Sequence, residues 1–214
     1  MMKKPPSKAA ASERPRRTLR YVEALSDVRT PLEGFCNILN PSLSIQALSR
    51  YDRAMPTKVM TKEQLAPLLQ QAREQKKRIV FTNGCFDLMH IGHTRYLQAA
   101  KALGDVLVVG VNSDVSVRSL NKAPDRPIVS DAQRAEVVAA LGCIDYVILF
   151  NEPDPQSLIA ALQPDVLVKG GDWAVERIVG REIVEARGGV VRTIPLVPGV
   201  STTSLIERIR STTT

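Results

Sequence analysis

The feature that most constrains the fold of this 214-residue chain is a repeated alternation, after Met60, of short apolar runs with amphipathic segments. The apolar runs are continuous, as expected of strands that are covered on both faces of a sheet. They are Ile79–Phe81, Val106–Val109, Tyr146–Phe150, Val166–Val168 and Val190–Ile194. Because the segments between them have helical spacing, the alternation predicts an α/β fold: a doubly wound, parallel, five-stranded sheet with helices on both faces.

Local signals mark where the predicted helices begin. Thr61-Lys-Glu-Gln64 and Ser130-Asp-Ala-Gln133 each fit a capping box, although Pro67 falls close to the first turn of the earlier helix. Asp154 fits an N-cap, with Pro155 at the first helical position. In a Rossmann-like sheet of this kind, ligands bind beyond the carboxyl ends of the strands, at helix N-termini.

The N-terminal quarter differs from the rest of the chain in charge. Residues 1–55 hold ten Lys or Arg and five acidic residues, whereas the net charge over residues 56–214 is only +2 of the total +7. We predict a basic, poorly ordered or irregular extension over residues 1–55 and a catalytic domain over residues 56–214, with its core at 77–210. Whether the extension is an accessory segment or precedes a natural start at Met55 or Met60 stays open. A domain near +2 lacks the charge that a nucleic-acid partner requires.

Composition excludes several other classes. No apolar run approaches the ~20 residues that span a bilayer, and the basic N-terminus has no apolar stretch typical of a secretory signal. Cys36, Cys85 and Cys143 are widely spaced without a CxxC pair, which argues against both a disulfide framework and a zinc site. We therefore expect a cytoplasmic protein with neither a membrane partner nor a metal site of its own.

The chemistry concentrates after the first strand, in Thr82-Asn-Gly-Cys-Phe-Asp-Leu-Met-His-Ile-Gly-His93. His90 and His93, the only histidines in the chain, lie at a helix N-terminus, where backbone N–H groups favour anions. Two imidazoles there can donate to phosphate oxygens and stabilise charge on a leaving pyrophosphate. Metal binding lacks a third ligand at characteristic spacing, and two capping or core histidines are the remaining alternative.

This arrangement resembles the cytidylyltransferase-like nucleotidyltransferases, whose signature is HxGH. Further motifs resemble most the heptose 1-phosphate adenylyltransferases of lipopolysaccharide-core synthesis, a group within that family. They are Val111-Asn-Ser-Asp114, Asp125-Arg-Pro127 with Gln133-Arg134, Pro164-Asp-Val-Leu-Val-Lys-Gly-Gly-Asp-Trp173, and Ser201-Thr-Thr203 at the start of the last helix. The resemblance covers roughly residues 77–210.

The resemblance implies a nucleotide site at the strand ends and helix starts. Its expected members are Asn83, Gly84, Cys85, Phe86, His90, His93, Lys169, Gly170, Asp172, Ser201, Thr202 and Thr203. The expected catalytic residues are His90, His93 and Lys122, of which Lys122 would bring a point charge to phosphate. The serine and threonines of the last motif also fit a helix cap, and both interpretations can hold together.

The same resemblance implies a sugar-phosphate site. Arg126 and Arg134 would clamp the phosphate bidentately, and Asp87 and Trp173 would belong to the same site. Alternatives stay open for each: an arginine on a helix is often a solvated charge, Trp173 can simply pack, and Asp87 can orient His93 or hold magnesium through water.

The implied reaction is AMP transfer from ATP to D-glycero-β-D-manno-heptose 1-phosphate, giving ADP-heptose and pyrophosphate. We expect direct in-line attack without a covalent intermediate, with Mg²⁺ bridging the phosphates. The alternatives are a glycerol 3-phosphate or related cytidylyltransferase and, from another class, a nucleotide-binding regulator. The expected partners are ATP and a sugar 1-phosphate, and a homodimer is left open.

Overall fold

The computed structural model of the protein describes residues 57–120, 123–171 and 174–212. The predicted extension over residues 1–55 lies outside the described residues. The helices are α1 (Lys62–Glu74), α2 (Ile91–Lys101), α3 (Asp114–Ser119), α4 (Asp131–Ala139), α5 (Gln156–Leu162), α6 (Arg181–Glu185) and α7 (Thr202–Thr212), with a short 3₁₀ helix at Val175–Arg177. The strands are β1 (Ile79–Gly84), β2 (Val106–Asn112), β3 (Tyr146–Phe150), β4 (Val166–Gly170) and β5 (Val190–Ile194).

The five strands form one parallel sheet in the order β3-β2-β1-β4-β5. The chain winds outward from β1 through β2 to β3, and then returns to the other side of β1 for β4 and β5. The point at which the winding direction reverses therefore lies between β1 and β4, where sheets of this type bind ligands. The predicted doubly wound fold and all five strands are confirmed.

The ladder between β1 and β4 is shorter than the strands that form it. β1 pairs with β2 along its whole length to Gly84, whereas its last rung with β4 joins Thr82 to Val168. Two residues at the end of each strand, Asn83 with Gly84 and Lys169 with Gly170, extend beyond that rung. We call the gap bounded by these four residues the β1–β4 wedge.

Successive residues of the central strands bury on opposite faces, which explains their continuous apolar runs. Ile79 and Phe81 belong to a core cluster with residues of α1, α5 and α6, whereas Val80 packs with residues of α2 and α4. All three side chains are fully buried. Helices on both faces of the sheet are thus confirmed. Within the described ranges, no helix is long and apolar enough to cross a membrane.

The two predicted capping boxes have different outcomes. In α1 the box forms: Gln64 N donates to Thr61 Oγ1 at 3.3 Å, and Thr61 N donates to Gln64 Oε1 at 2.9 Å. The box predicted at the start of α4 is wrong, because the Ser130 hydroxyl turns to the Gln133 side chain at 3.2 Å and reaches no backbone N–H. Asp131 supplies an acceptor there instead, at 2.8 Å from Ala132 N.

The start of α5 also differs slightly from the prediction. Pro155 occupies the N-cap position itself rather than the first helical position. Asp154 still supplies an acceptor to this end of the helix, since its Oδ1 accepts from Gln156 N at 2.9 Å. Pro67 likewise lies inside α1, beyond the first turn.

The amino ends of three strands share one device that the sequence analysis did not predict. In each case an aspartate directly precedes the strand, and its Oδ2 accepts from the backbone N–H of a residue at the start of the neighbouring strand. The backbone N–H of the aspartate in turn donates to the carbonyl of that residue. The pairs are Asp105 with Arg78, Asp145 with Leu107, and Asp165 with Ile79, each at 2.7 Å from N to Oδ2. We call these pairs the aspartate clasps.

Candidate active site

The expected nucleotide-binding residues that the structure describes gather at the carboxyl ends of β1 and β4. Asn83 and Gly84 end β1, and Lys169 and Gly170 end β4, on the two sides of the wedge. Lys169 Nζ donates to Asn83 Oδ1 across it. A side-chain bond thus joins the two strands where their backbone ladder has already stopped.

The start of α7 also reaches this edge of the sheet. Thr202, whose side chain is buried, donates from Oγ1 to the carbonyl of Leu88 at 3.4 Å, which ties the helix start to the loop that precedes the histidines. Ser201 Oγ accepts from Ser204 N at 3.0 Å, so Ser201 caps the helix as one interpretation predicted. Thr203 is exposed in the first turn. The start of α7, where the first N–H groups have no partner within the helix, therefore lies close to the segment that holds the histidines.

His90 is the N-cap of α2, and its contacts determine which ring nitrogen carries the proton. Its Nδ1 accepts from Gly92 N at 3.1 Å, while burial lowers the pKa of the imidazole below its ordinary value. A neutral imidazole that accepts through Nδ1 carries its proton on Nε2. His90 therefore presents Nε2–H as a donor. A Cβ on Gly92 would lie 2.9 Å from the His90 ring, so this arrangement requires a glycine there.

His93 lies between two aromatic rings. It stacks on His90 with ring centroids 3.8 Å apart and an interplanar angle of 24°, and it meets Phe86 edge to face at 5.4 Å. Burial, aided by the nearby His90 and Arg126, lowers the pKa of His93 to about 4. Its Nδ1 is buried without a hydrogen-bond partner among the described residues. Both imidazoles are thus neutral near pH 7 and act as hydrogen-bonding groups.

Asp87 connects the turn after β1 to the segment that precedes α4. Its Oδ1 accepts from the backbone N–H groups of Ile128 at 2.8 Å and Val129 at 2.9 Å, and its Oδ2 accepts from Arg126 Nε at 2.9 Å. Burial raises the pKa of Asp87, but the N–H groups of Val129 and Ile128, together with Arg126, outweigh burial and leave the pKa below its ordinary value. Asp87 is therefore an ionised anchor, and among the described hydrogen bonds none joins it to His93.

Arg134 lies in the interior, which differs from the expectation that it clamps a sugar phosphate. The residue is 1 % exposed. Its Nη1 donates to the carbonyl of Cys85 at 2.5 Å, its Nε to the carbonyl of Val129 at 2.9 Å and its Nη2 to Asp114 Oδ1 at 2.8 Å. Because these acceptors surround the guanidinium, a substrate phosphate has no access to it. Arg126, by contrast, keeps 10 % of its side chain exposed on the segment that Asp87 holds.

The turn between β1 and α2 has an unusual backbone. Phe86 adopts a left-handed conformation, with φ of 49°, although it is not a glycine. A Cβ on Gly84 would lie 3.1 Å from the Phe86 ring, so a glycine at 84 allows the ring to fold back against the strand end. Cys85 is buried in the same turn. Lys122, Asp172 and Trp173 lie outside the described residues, and their roles stay predictions.

Tyr96, on α2, is a residue of this region that the sequence analysis did not single out. Its hydroxyl lies 2.6 Å from Thr82 Oγ1 and donates to the carbonyl of Val168 at 3.2 Å, and burial raises its pKa to about 12. These two partners form the last rung of the β1–β4 ladder. A tyrosine three residues after His93, with a polar tip on an otherwise apolar face, was the signal available in the sequence.

Comparisons with known proteins agree with this geometry. A family model described as cytidylyltransferase-like matches residues 81–212. The bifunctional protein HldE of Syntrophotalea carbinolica is 51% identical over 164 residues, which are 77% of this chain and 33% of that protein. The bifunctional protein HldE of Pseudomonas syringae pv. syringae is 53% identical over 152 residues, 71% of this chain and 32% of that protein.

The chain thus spans about a third of the length of these curated relatives. A crystal structure of the lipopolysaccharide core biosynthesis protein from Thermoplasma volcanium GSS1 is 29% identical and superposes with a TM-score of 0.48, over 56% of this chain and 97% of that one. Since the family model matches more than half of the chain, and the site that it covers has the stacked HxGH histidines at a helix N-terminus, the protein belongs to the cytidylyltransferase-like family and is a nucleotidyltransferase.

Proposed function

We propose that this nucleotidyltransferase transfers AMP from ATP to D-glycero-β-D-manno-heptose 1-phosphate, giving ADP-heptose and pyrophosphate for lipopolysaccharide core synthesis. The observation that carries the proposal is the neutral, stacked pair of His90 and His93 at the N-terminus of α2, beside the wedge. The identity of about half of the aligned residues with the two bifunctional HldE proteins supports the choice of a heptose phosphate.

The chemistry requires positioning and charge stabilisation rather than a protein nucleophile. A phosphate oxygen of the sugar 1-phosphate attacks the α-phosphorus of ATP, and the bond from that phosphorus to the β-phosphate bridging oxygen breaks as the new bond forms. Pyrophosphate leaves with the electron pair, so negative charge grows on the leaving group. The Nε2–H of His90, whose ring is held by the bond from Gly92 N to Nδ1, is a donor that is in place before this charge develops.

His93 would act on the same leaving group from its position against His90. As a neutral imidazole it donates one hydrogen bond, and the developing anion strengthens that bond as the reaction proceeds. Two neutral donors add no fixed positive charge in the free enzyme. They would therefore stabilise the transition state more than the bound ATP, which is the condition for raising kcat.

Cationic side chains and Mg²⁺ would complete the site. Lys169, beside the wedge, and Lys122 are proposed to contact the phosphates of ATP, and Arg126 the phosphate of the sugar. Asp172 and Trp173, which follow β4 in the sequence, are proposed to line the same cleft. Because both Asp87 oxygens already accept hydrogen bonds from the 126–129 segment, we propose that Mg²⁺ enters bound to the triphosphate of ATP.

A substrate matrix tests the proposal. Pyrophosphate release is measured with ATP or CTP as donor, against heptose 1-phosphate or glycerol 3-phosphate as acceptor, and the sugar nucleotide is identified by mass spectrometry. We expect ATP with heptose 1-phosphate to be turned over far faster than any other pair. Equal or faster turnover of CTP with glycerol 3-phosphate would contradict the proposed substrates and favour a cytidylyltransferase.

A further inference from the structure

We propose that Arg134 is a positioning residue that acts on the active site through the Cys85–Phe86 peptide, and that the ring of Phe86 transmits its effect to His93. The catalytic meaning of this proposal rests on the proposed function, but the contacts that carry it do not. Three linked features carry it: the buried guanidinium of Arg134, the left-handed backbone of Phe86 and the contact between the rings of Phe86 and His93.

The Arg134 guanidinium joins three separate parts of the chain. It bonds the carbonyl of Cys85 in the turn after β1, the carbonyl of Val129 before α4, and the carboxylate of Asp114 at the start of α3. A charge with no exposed side-chain surface is costly unless it is paired and hydrogen-bonded, and here all three contacts satisfy it. Removal of the guanidinium would take away the bond that Arg134 donates to the carbonyl of the buried Cys85.

The Cys85 carbonyl belongs to the peptide unit that precedes Phe86. Since Phe86 has a positive φ, which is unfavourable for a residue other than glycine, this conformation persists only if its surroundings impose it. Arg134 holds the plane of that peptide from one side. Without this bond we expect the backbone at Phe86 to relax and the ring to leave its place.

Asp87, the next residue, is held to the same segment of chain. It accepts from the N–H of Val129, whose carbonyl accepts from Arg134. Two of the three residues after β1, Cys85 and Asp87, are therefore attached to residues 126–129 and 134 rather than to a strand ladder. This explains how a turn without regular backbone hydrogen bonds keeps one conformation.

The ring of Phe86 connects this anchor to the chemistry. It is 4 % exposed, and its contact with His93 helps to exclude water from the imidazole. Among the residues that the structure describes, His90 and Arg126 are the other titratable or charged groups that act on the pKa of His93. If the ring moves away, water reaches the imidazole, and its pKa rises from about 4 toward the ordinary value of 6.5.

The experiment uses the full chain with Arg134→Met, which keeps an unbranched side chain and removes the donors. NMR titration of ring-labelled histidine follows His93 directly, because the chain holds only two histidines. We expect the pKa of His93 to rise by at least one unit, and kcat for ATP with heptose 1-phosphate to fall by up to about 10²-fold, with a smaller change in the KM for ATP.

Arg73→Met is the matched control. Arg73 also donates from its guanidinium to backbone carbonyls, those of Leu162 and Gln163, but it lies on α1, on the other face of the sheet. It should lower the melting temperature and leave the pKa of His93 unchanged. Phe86→Leu should raise the pKa as Arg134→Met does, and the double variant should add little, because the two residues act in series.

A folded Arg134→Met protein in which His93 still titrates near pH 4 would overturn the proposal. If that variant does not fold, Phe86→Leu tests the next contact in the series, and an unchanged pKa of His93 in that variant would overturn the proposal equally. A raised pKa in a protein whose wild type does not use ATP and heptose 1-phosphate would reject the proposed function and leave the positioning role standing.

Discussion

The two ends of the parallel sheet differ in how their backbone groups are hydrogen-bonded. At the amino end, the aspartate clasps satisfy the first backbone groups of β1 and β2 with reciprocal bonds. At the carboxyl end, β1 and β4 stop pairing two residues early, and polar side chains, glycines and a helix start surround the gap. At the amino end these backbone groups are paired within the protein, whereas the carboxyl end keeps donors, such as the Nε2–H of His90, for a ligand.

This difference indicates that residues at the amino end of the sheet determine stability, whereas residues at the carboxyl end determine activity. Carboxylates at the amino end accept from backbone N–H groups, so their loss should weaken the fold without reaching the chemistry. The histidines at the carboxyl end contact each other and Phe86 at the rim of the core, so their loss should reach the chemistry first. Three predictions, taken from the largest effect expected at pH 7 to the smallest, test this separation.

His93→Ala should have the largest effect and should act on catalysis. Removal of one preorganised donor from a developing anion typically lowers kcat by ~10²–10³. Steady-state kinetics and thermal melting, measured on the same preparation, should show this loss with a nearly unchanged melting temperature and a smaller change in the KM for ATP. His90→Ala should have more of its effect on ATP binding. A lowered melting temperature with normal kcat would instead identify His93 as a structural residue.

Asp165→Ala should act on stability alone. It leaves the N–H of Ile79 buried without its side-chain acceptor, which should lower the free energy of unfolding by about 1–3 kcal/mol in urea titrations. Asp105→Ala is the matched comparison, because its partner Arg78 is exposed and water can replace the lost acceptor. We expect the smaller loss for Asp105→Ala and an unchanged kcat for both. The reverse order of stabilities would argue against the role given to the clasps.

The last prediction concerns acidic solution and has no effect near pH 7: a dependence of stability on pH that originates in His93. Its pKa is about 4 in the folded protein and near 6.5 in an unfolded chain, so the unfolded state takes up the proton first as the solution becomes acidic. The contribution to the free energy of unfolding is therefore complete above pH 6.5, decreases as the pH falls to about 4, and is constant below that. Urea unfolding between pH 7.5 and 4 should show a smaller decrease in His93→Ala than in the wild type. Parallel pH profiles would show that His93 is as solvated in the fold as outside it.

The sequence predicted the sheet well because each strand is buried on both faces and so consists of an uninterrupted apolar run. It predicted the place of the histidines because a helix that begins beyond a strand end is a local pattern. Two similar patterns, Thr61 with Gln64 and Ser130 with Gln133, show where local inference stops. Only the first forms a box, since Asp131, in the first turn of α4, supplies the acceptors there, to Ala132 N and to Asp114 N.

The charged residues were harder to predict because their partners are distant in the chain. Arg134 meets the carbonyl of a residue 49 positions away, and Asp87 meets backbone N–H groups 41 and 42 positions away. When only their side chains are considered, an arginine suits a phosphate and an aspartate suits the magnesium that accompanies it. What decides between anchoring and binding is burial, which depends on how α4 lies against the turn after β1.

The β1–β4 wedge has a consequence for the energetics of substrate entry. Because the ladder ends at Thr82 and Val168, and the hydroxyl of Tyr96 already bonds that last carbonyl, a ligand that enters between the two strand ends breaks no rung of the sheet. The β1–β4 wedge is already present in the folded protein before a ligand arrives. A ligand proposed to enter there would displace the contact between Lys169 and Asn83, and the ammonium group of Lys169 would then lie beside the arriving phosphate.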